Sequence, residues 1–331
     1  MRYFLTGATG FIGGRLARQL REAGHKVVAL VRDPTRGVSL SQLGVELVPG
    51  DITDRASLLQ GMRGVDGVFH CAGWYKLGVK DPQEGIQINV EGTRNVLETM
   101  RDLHVPRGVY TSTLAVFSDT HGKLVDENYK FHGRHLTMYD QSKWRAHYEV
   151  AEPLVRHGLP LTIVLPGVVY GPGDASPIGD MFARYQQRKL PGVPAKTAYC
   201  WAHVEDTARG HILAMEQGRS GEQYIIAGEP MTVASVLALA ETITHIPAPR
   251  RTLSPVLLRL LASLFSIVGR AVPLPQEYQP EVLRASAGVT YLGDNGKARR
   301  ELGFVPRPIS EGLREVFSTV INSPRRLQSK E

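Results

Sequence analysis

Tyr139 and Lys143 stand four residues apart in Tyr-Asp-Gln-Ser-Lys, a spacing that puts both side chains on one face of a helix. A phenol ordinarily ionises near pH ~10 and carries protons poorly at neutrality. A neighbouring ammonium favours the phenolate and brings it toward the working range, and lysine has the length to hold a ribose as well. The spacing alone is weak, since twelve tyrosines and ten lysines in 331 residues give about 0.4 chance matches. Tyr185 and Lys189 share it, in a region read as a pocket helix, so context selects Tyr139. A third polar group follows the β-type run at 108–112, in Ser112-Thr113-Leu114-Ala115. A hydroxyl there would hydrogen-bond a reacting oxygen and stabilise charge on it. Ser112 and Thr113 point to opposite sides of an extended chain, so one of them faces the crevice. Thr113 is the expected one, with Ser112 as the open alternative.

Such a pair needs a redox partner, and the start of the chain supplies its cradle. A short β-type run breaks into Gly7, Gly10 and Gly13, with Thr9, Phe11 and Ile12 between them, and an amphipathic stretch follows over Phe11–Ala23. Strand, glycine turn and helix in that order build a dinucleotide pyrophosphate site. At the end of the second strand, where an NAD enzyme usually places a carboxylate, this chain has Val31 and then Arg32-Asp33-Pro34-Thr35-Arg36. Arg32 and Arg36 suit a 2′-phosphate, so NADP is expected, with NAD left open by Asp33. Asp51, with Ile52 beside it, is expected at the adenine; a cap on the helix from Arg55 fits the same segment through Thr53 or Asp54. Cys71, Ala72 and Gly73 end the fourth strand with small residues that let backbone approach the cofactor, and His70 is read as structural.

The elements that hold these groups alternate. Strands are expected at Tyr3–Thr6, Lys26–Val31, Val45–Pro49, Gly67–Cys71, Gly108–Ser112 and Leu161–Leu165, with amphipathic segments Arg55–Met62, Gly85–Leu103 and Tyr139–His157 between them. That pattern predicts an α/β fold, a Rossmann-type doubly wound parallel sheet. After Pro166, proline and glycine become frequent and strands sparse. Residues 1–165 and about 198–228, with a helix at Val204–Gln217 and a strand at Gln223–Ala227, are assigned to the dinucleotide-binding domain. About 166–197 and 229–331 form a smaller, mostly helical C-terminal substrate-binding domain.

Composition narrows the class. At 42% hydrophobic and 21% charged, the chain is an ordinary globular protein. Two cysteines make no disulfide framework, which points to a reducing, cytoplasmic setting, and no signal peptide pattern opens the chain. The net charge of +7 is spread along the sequence without a recognition motif, so nucleic acid is not an expected partner. His132 and His135 are read as loop residues, and no metal is expected. Residues 255–272 are unusually apolar but too short to span a bilayer; a packing or lid helix is the plain reading, and peripheral membrane contact the sharper one.

Longer motifs carry a resemblance over nearly the whole chain: TGATGFIGG at the start, VRDP at 31–34, GDITD at 50–54, INVEGTRNVLE at 88–98, YDQSK at 139–143, LPGVVYGPGD at 165–174 and WAHVEDTARGHILAME at 201–216. The chain resembles an extended short-chain dehydrogenase/reductase of the NAD-dependent epimerase/dehydratase superfamily, nearest to the dihydroflavonol-reductase and 3β-hydroxysteroid-dehydrogenase branch. The resemblance implies Tyr139 as acid/base, Lys143 as its partner, Thr113 as the hydroxyl and Asn89 as a support of the active-site geometry. It further implies that Pro166, Gly167 and Val168 place the nicotinamide carboxamide, that His203–Asp206 closes the substrate side, and that 85–103 and 139–157 pair in a homodimer. Leu114 and Ala115 stand where 4,6-dehydratases carry acids, and Leu165, Val168 and Val169 replace residues common in sugar-nucleotide epimerases. Trp74, Tyr75, Phe117, Phe131, Met138, Met181 and Phe182 are expected around an apolar small-molecule substrate, about half of them serving the core. The expected activity is NADP-dependent carbonyl reduction or alcohol oxidation. A nucleotide-sugar epimerase and a non-catalytic NADP-binding sensor or assembly protein are the alternatives.

Overall fold

Short apolar runs alternate with amphipathic stretches through the first 230 residues, and most of the runs form strands buried on both faces. The structure, a computed structural model, describes residues 1–78, 81, 83–269, 272, 274–275 and 278–321. Its strands in chain order are β1 (Arg2–Thr6), β2 (Lys26–Val31), β3 (Glu46–Pro49), β4 (Gly67–His70), β5 (Gly108–Thr111), β6 (Leu161–Pro166), β7 (Val168–Tyr170), β8 (Val193–Pro194), β9 (Ala198–His203), β10 (Gln223–Ile226), β11 (Pro230–Thr232), β12 (Thr252–Leu253) and β13 (Thr290–Tyr291). Seven of them form one parallel sheet in the order β10–β6–β5–β4–β1–β2–β3. The order runs outward in two directions from the neighbours β1 and β4, which opens a crevice at their carboxyl ends.

The Phe11–Glu22 helix covers one face of the sheet and buries Gly13, Leu16, Ala17 and Leu20. Full burial of Leu16 and Leu20 contributes about 1.5–3 kcal/mol each. Alongside it runs the Val204–Gln217 helix, tied on by Glu205, which receives Arg15 Nε at 3.1 Å, Arg18 at 2.5 Å and Gln19 Nε2 at 2.8 Å. The other face carries the Arg55–Met62 helix and two longer helical stretches, 83–102 and 138–156. Each of those two contains a wide, π-type segment, at Ile86–Gly92 and Ala146–Ala151, and the two segments pack together. Such bulges are frequent at functional sites.

A smaller sheet joins β11, β9 and β13, with β7 also paired to β9. Within 198–228, β10 rejoins the large sheet while β9 lies in the small one. β9 crosses the ends of β6 and β10 very closely. A Cβ added to Gly167 would lie 2.1 Å from the Cys200 carbonyl oxygen, and one added to Gly228 2.1 Å from that of Trp201. Tyr170, Phe182, Trp201, Leu237, Leu313 and Phe317 form the core beneath this sheet.

Candidate active site

The chain leaves β1 through Gly7 at φ +77°, a backbone region that disfavours side chains. A Cβ there would sit 2.6 Å from the Ala72 nitrogen, so the turn after β1 is pressed on the end of β4. The helix that follows has Gly10 at its N-cap, no capping side chain and no acidic residue in its first turn. Thr9 and Gly10 are exposed at the crest, with Phe11 and Ile12 half-buried behind them and Gly13 buried. Exposed backbone and an uncapped helix start fit a diphosphate.

Arg32 and Arg36 follow β2 and are exposed. Asp33 is turned into its own loop: its Oδ1 accepts from Thr35 Oγ1 at 2.6 Å and Thr35 N at 2.9 Å, which holds the carboxyl below its usual range. Arg32 Nε stands 4.0 Å from Asp51 Oδ2. Asp54 caps the Arg55–Met62 helix by accepting from Ala56 N, while Asp51 Oδ1 accepts from Thr53 N and Oγ1, both at 2.8 Å. The Ile52 side chain is buried in the core, and its carbonyl accepts from Asn95 Nδ2 at 3.1 Å.

At the end of β4, buried His70 bridges Thr6 Oγ1 (2.7 Å) and Thr93 Oγ1 (3.0 Å), and burial brings its pKa down to about 3. Ala72 N donates to the same Thr6 hydroxyl at 3.2 Å, and Cys71 Sγ accepts from Thr111 Oγ1 at 3.2 Å. Gly73 backs on Asn89, whose Oδ1 a Cβ would meet at 3.4 Å. Pro166, Gly167 and Val168 carry the chain from β6 into β7, across the same edge of the sheet.

Thr137 caps the Met138–Arg145 helix by accepting from Asp140 N at 2.9 Å, which sets Tyr139 in the first turn. The Thr113 side chain, whose Oγ1 accepts from Ala115 N at 3.1 Å, acts on the Tyr139 phenol, and the Tyr139 ring meets Tyr75 edge-on at 4.7 Å. Ser112 is buried instead, with its hydroxyl 2.7 Å from His147 Nδ1. Lys143 Nζ donates to the Thr111 carbonyl at 2.8 Å and to Tyr110 Oη at 3.1 Å. One expectation needs correcting here. Burial, followed by Tyr75, holds the Tyr139 phenol well above its ordinary value, with Thr113 opposing. The ammonium is directed at Tyr110 and the strand end, and burial brings Lys143 itself down to about 7. In this arrangement the phenol is a proton donor.

Asn89 lies buried in the π-type segment and fastens three pieces together. Its Oδ1 accepts from Trp74 N at 2.7 Å, and its Nδ2 donates to Trp74 O at 3.0 Å and Ser142 Oγ at 2.9 Å. It therefore ties the loop after β4 to the helix of Tyr139 and Lys143.

Several residues of the site carry no spacing signal. Tyr110 reads as one more apolar strand residue, and Tyr75 as a loop aromatic. Tyr291 donates to Asp140 Oδ2 at 2.9 Å from 151 residues away, and burial raises Asp140 to about 7. Glu281 accepts from Gly78 N and Met138 N, both at 2.5 Å, at a groove of about 800 Å³ that Thr137, Gln141 and Arg284 also line. Of the expected apolar walls, Trp74, Phe117 and Phe182 are buried and Met181 packs on the smaller core, while Phe131 and Met138 are half-buried and Tyr75 exposed. His203 caps the Val204–Gln217 helix and Asp206 pairs with Arg307 Nη2 at 2.9 Å, so this segment braces the C-terminal region. Tyr185, the other tyrosine at lysine spacing, is buried on Thr244 and the Ile246 carbonyl.

The model of the NAD dependent epimerase/dehydratase family matches residues 3–227. A putative dihydroflavonol 4-reductase from Synechocystis sp. is 36% identical over 94% of this chain and 92% of its own. Sterol demethylase protein B from Methylococcus capsulatus is 31% identical over 92% and 94%. A solved nucleoside-diphosphate-sugar epimerase from Pseudomonas aeruginosa superposes with a TM-score of 0.79 at 26% identity, covering 97% of this chain and 98% of its own.

Proposed function

The chain belongs to the NAD dependent epimerase/dehydratase family, and on that premise we propose that it is an NADP-dependent oxidoreductase that reduces the carbonyl of a largely apolar small molecule, or oxidises the matching secondary alcohol. Tyr139 and Lys143, one turn apart on a helix held against the end of β5, where Thr113 follows, carry this reading. Gly7, Thr9, Gly10, Phe11, Ile12 and Gly13 would hold the pyrophosphate, Arg32 and Arg36 the 2′-phosphate, and Asp51 the adenine. Cys71, Ala72 and Gly73 would flank the dinucleotide, and Pro166, Gly167 and Val168 the nicotinamide. The bound nicotinamide supplies the hydride. Thr113 and Tyr139 orient the substrate oxygen, and the Tyr139 proton passes to that oxygen as charge develops on it. Lys143, one turn further on, holds the end of β5 beside the phenol through the Thr111 carbonyl and Tyr110. Asn89 keeps the helix in register with the Trp74 loop.

Apolar substrates suit Tyr75, Phe131 and Met138 near the groove, and the relatives' names include a dihydroflavonol and a sterol. Leu114 and Ala115 offer no acid for dehydration. The likeness to a sugar-nucleotide epimerase favours a second reading, transient oxidation with tightly held cofactor. Nicotinamide absorbance separates the two. Stoichiometric NADPH oxidation is expected with a flat polycyclic ketone or an aldehyde; no net change on any carbonyl, with turnover of a nucleotide sugar, overturns the reductase.

A further inference from the structure

The Pro255–Val268 helix is apolar except for a narrow polar stripe of Arg259, Ser263 and Ser266. Its apolar surface is wider than one packed face, so part of it must be covered by something else. One side is accounted for: Leu258 and Ala262 are buried, with Leu261 and Phe265, against Leu283 of the Pro280–Ala285 helix. The opposite side is not. Val256, Leu260, Leu264 and Ile267, at spacings of three and four, are between 53% and 68% exposed, and Leu257 and Val268 widen the stripe. At 14 residues the helix is about 21 Å long, short of the ~30 Å hydrocarbon core, so it can lie in a bilayer surface but not cross it.

Charge selects the occupant. Residues 245–290 contain five arginines and two glutamates, with no lysine or aspartate. Arg250, Arg251 and Arg259 are exposed around the helix, whereas Glu281 is turned inward to Gly78 N and Met138 N; Arg270 and Ala271 lie outside the described residues. A second copy of the chain would bring like charges together on this face, while anionic lipid satisfies both the arginines and the apolar stripe. The helix also adjoins the groove, since Ser266 lines it together with Glu281 and Arg284.

We propose that the Pro255–Val268 helix docks the protein on an anionic bilayer surface, with Val256, Leu260, Leu264 and Ile267 in the headgroup–acyl boundary and the groove opening beside it. Delivery of an apolar substrate by this route rests on the reductase reading; the docking itself does not. The test is co-sedimentation of the full chain with phosphatidylcholine vesicles, with and without phosphatidylglycerol, at low and high salt. Binding is expected on the anionic vesicles only, weakened by salt. A Leu260→Ser, Leu264→Ser, Ile267→Ser variant should lower the bound fraction at least ~10-fold while keeping its thermal unfolding midpoint. Amide exchange over 255–268 of the unaltered chain should slow on those vesicles, a readout that needs no substitution. Absence of binding to anionic vesicles at low salt overturns the proposal, as does a dimer in solution that the triple variant dissolves. Vesicle binding is read without turnover, so loss of the redox reading leaves it standing.

Discussion

Lys143 donates to the hydroxyl of Tyr110 at 3.1 Å, and its ammonium also lies 4.7 Å from that ring's centroid. The contact ties the helix of the reacting groups to the floor of the sheet, because the Tyr110 ring stacks on His70 at 5.5 Å and His70 in turn bridges Thr6 and Thr93. Polar groups under the site thus run from the lysine to the strand that ends at the glycine turn. Tyr110→Phe removes the acceptor and leaves a buried ammonium one partner short, which costs about 1–3 kcal/mol. Denaturant unfolding should register that loss, together with a shifted pH profile of turnover; wild-type values for both would detach Tyr110 from the site.

Tyr139→Phe should cut turnover by about 10²–10⁴ while cofactor affinity stays near wild type. Thr113→Val, which keeps the shape and removes the donor, should cost about 10²–10³. Ser112→Ala should leave the chemistry alone, since its hydroxyl is engaged with His147. A Ser112 variant as slow as the Thr113 variant would reverse the assignment of the reacting hydroxyl.

Arg32→Ala should raise KM for NADPH by about 10–100-fold, the equivalent of a charge-assisted contact of about 1.5–3 kcal/mol, and move KM for NADH little. Asp33 is folded onto Thr35 and so offers no competing ribose contact in this conformation. Equal effects on the two cofactors would withdraw NADP selectivity from Arg32.

Asn89→Ala strips partners from both Trp74 N and Trp74 O in a buried site. Stability should fall by about 1–3 kcal/mol per abandoned group, and kcat should drop more than KM rises. A variant that unfolds like the wild type and turns over normally would show that the tether is dispensable.

Burial sets the pH dependence of stability: Lys143 and the buried histidines share one sign, and Asp140 has the other. Buried Lys143 has a folded pKa of about 7 against 10.5 unfolded, so the unfolded chain binds the extra proton between those values and stability rises with pH across that window. Lys143→Met should therefore be more stable than wild type at pH 7, with the advantage shrinking toward alkaline pH. His70 and His147 at about 3, and His211 at about 4, stay neutral in the fold and protonate on unfolding below 6.5, so stability falls as pH drops below that value. Asp140, raised to about 7, runs the other way and offsets one of these three protons. His211→Asn should flatten the acid limb of a urea-denaturation series; an unchanged slope would remove His211 from this account.

The large sheet and the glycine turn were legible because each depends on local pattern: β2 and the Arg55–Met62 helix fall where apolar periodicity places them. Strand alternation puts only one of Ser112 and Thr113 toward the crevice, and the Ser112 hydroxyl is engaged with buried His147. The π-type segments were not legible, since a 3.6-residue period reads straight through Asn89 and His147. Nor were Tyr110, Tyr291 and Glu281. Each acts through a partner 33, 151 or 143 residues away, and no window along the chain contains both ends.

Gly167 and Gly228 leave no room for even a methyl group between the ends of β6 and β10 and the strand crossing them. Main chain therefore rests on main chain at that seam, like two boards joined without a gasket. Drift in the sequence has no bulk there with which to pry the seam wider or draw it tighter. Any change of substrate taste must come from rim side chains such as Tyr75 and Met138, and a methyl at either glycine would disturb the frame before it altered the appetite.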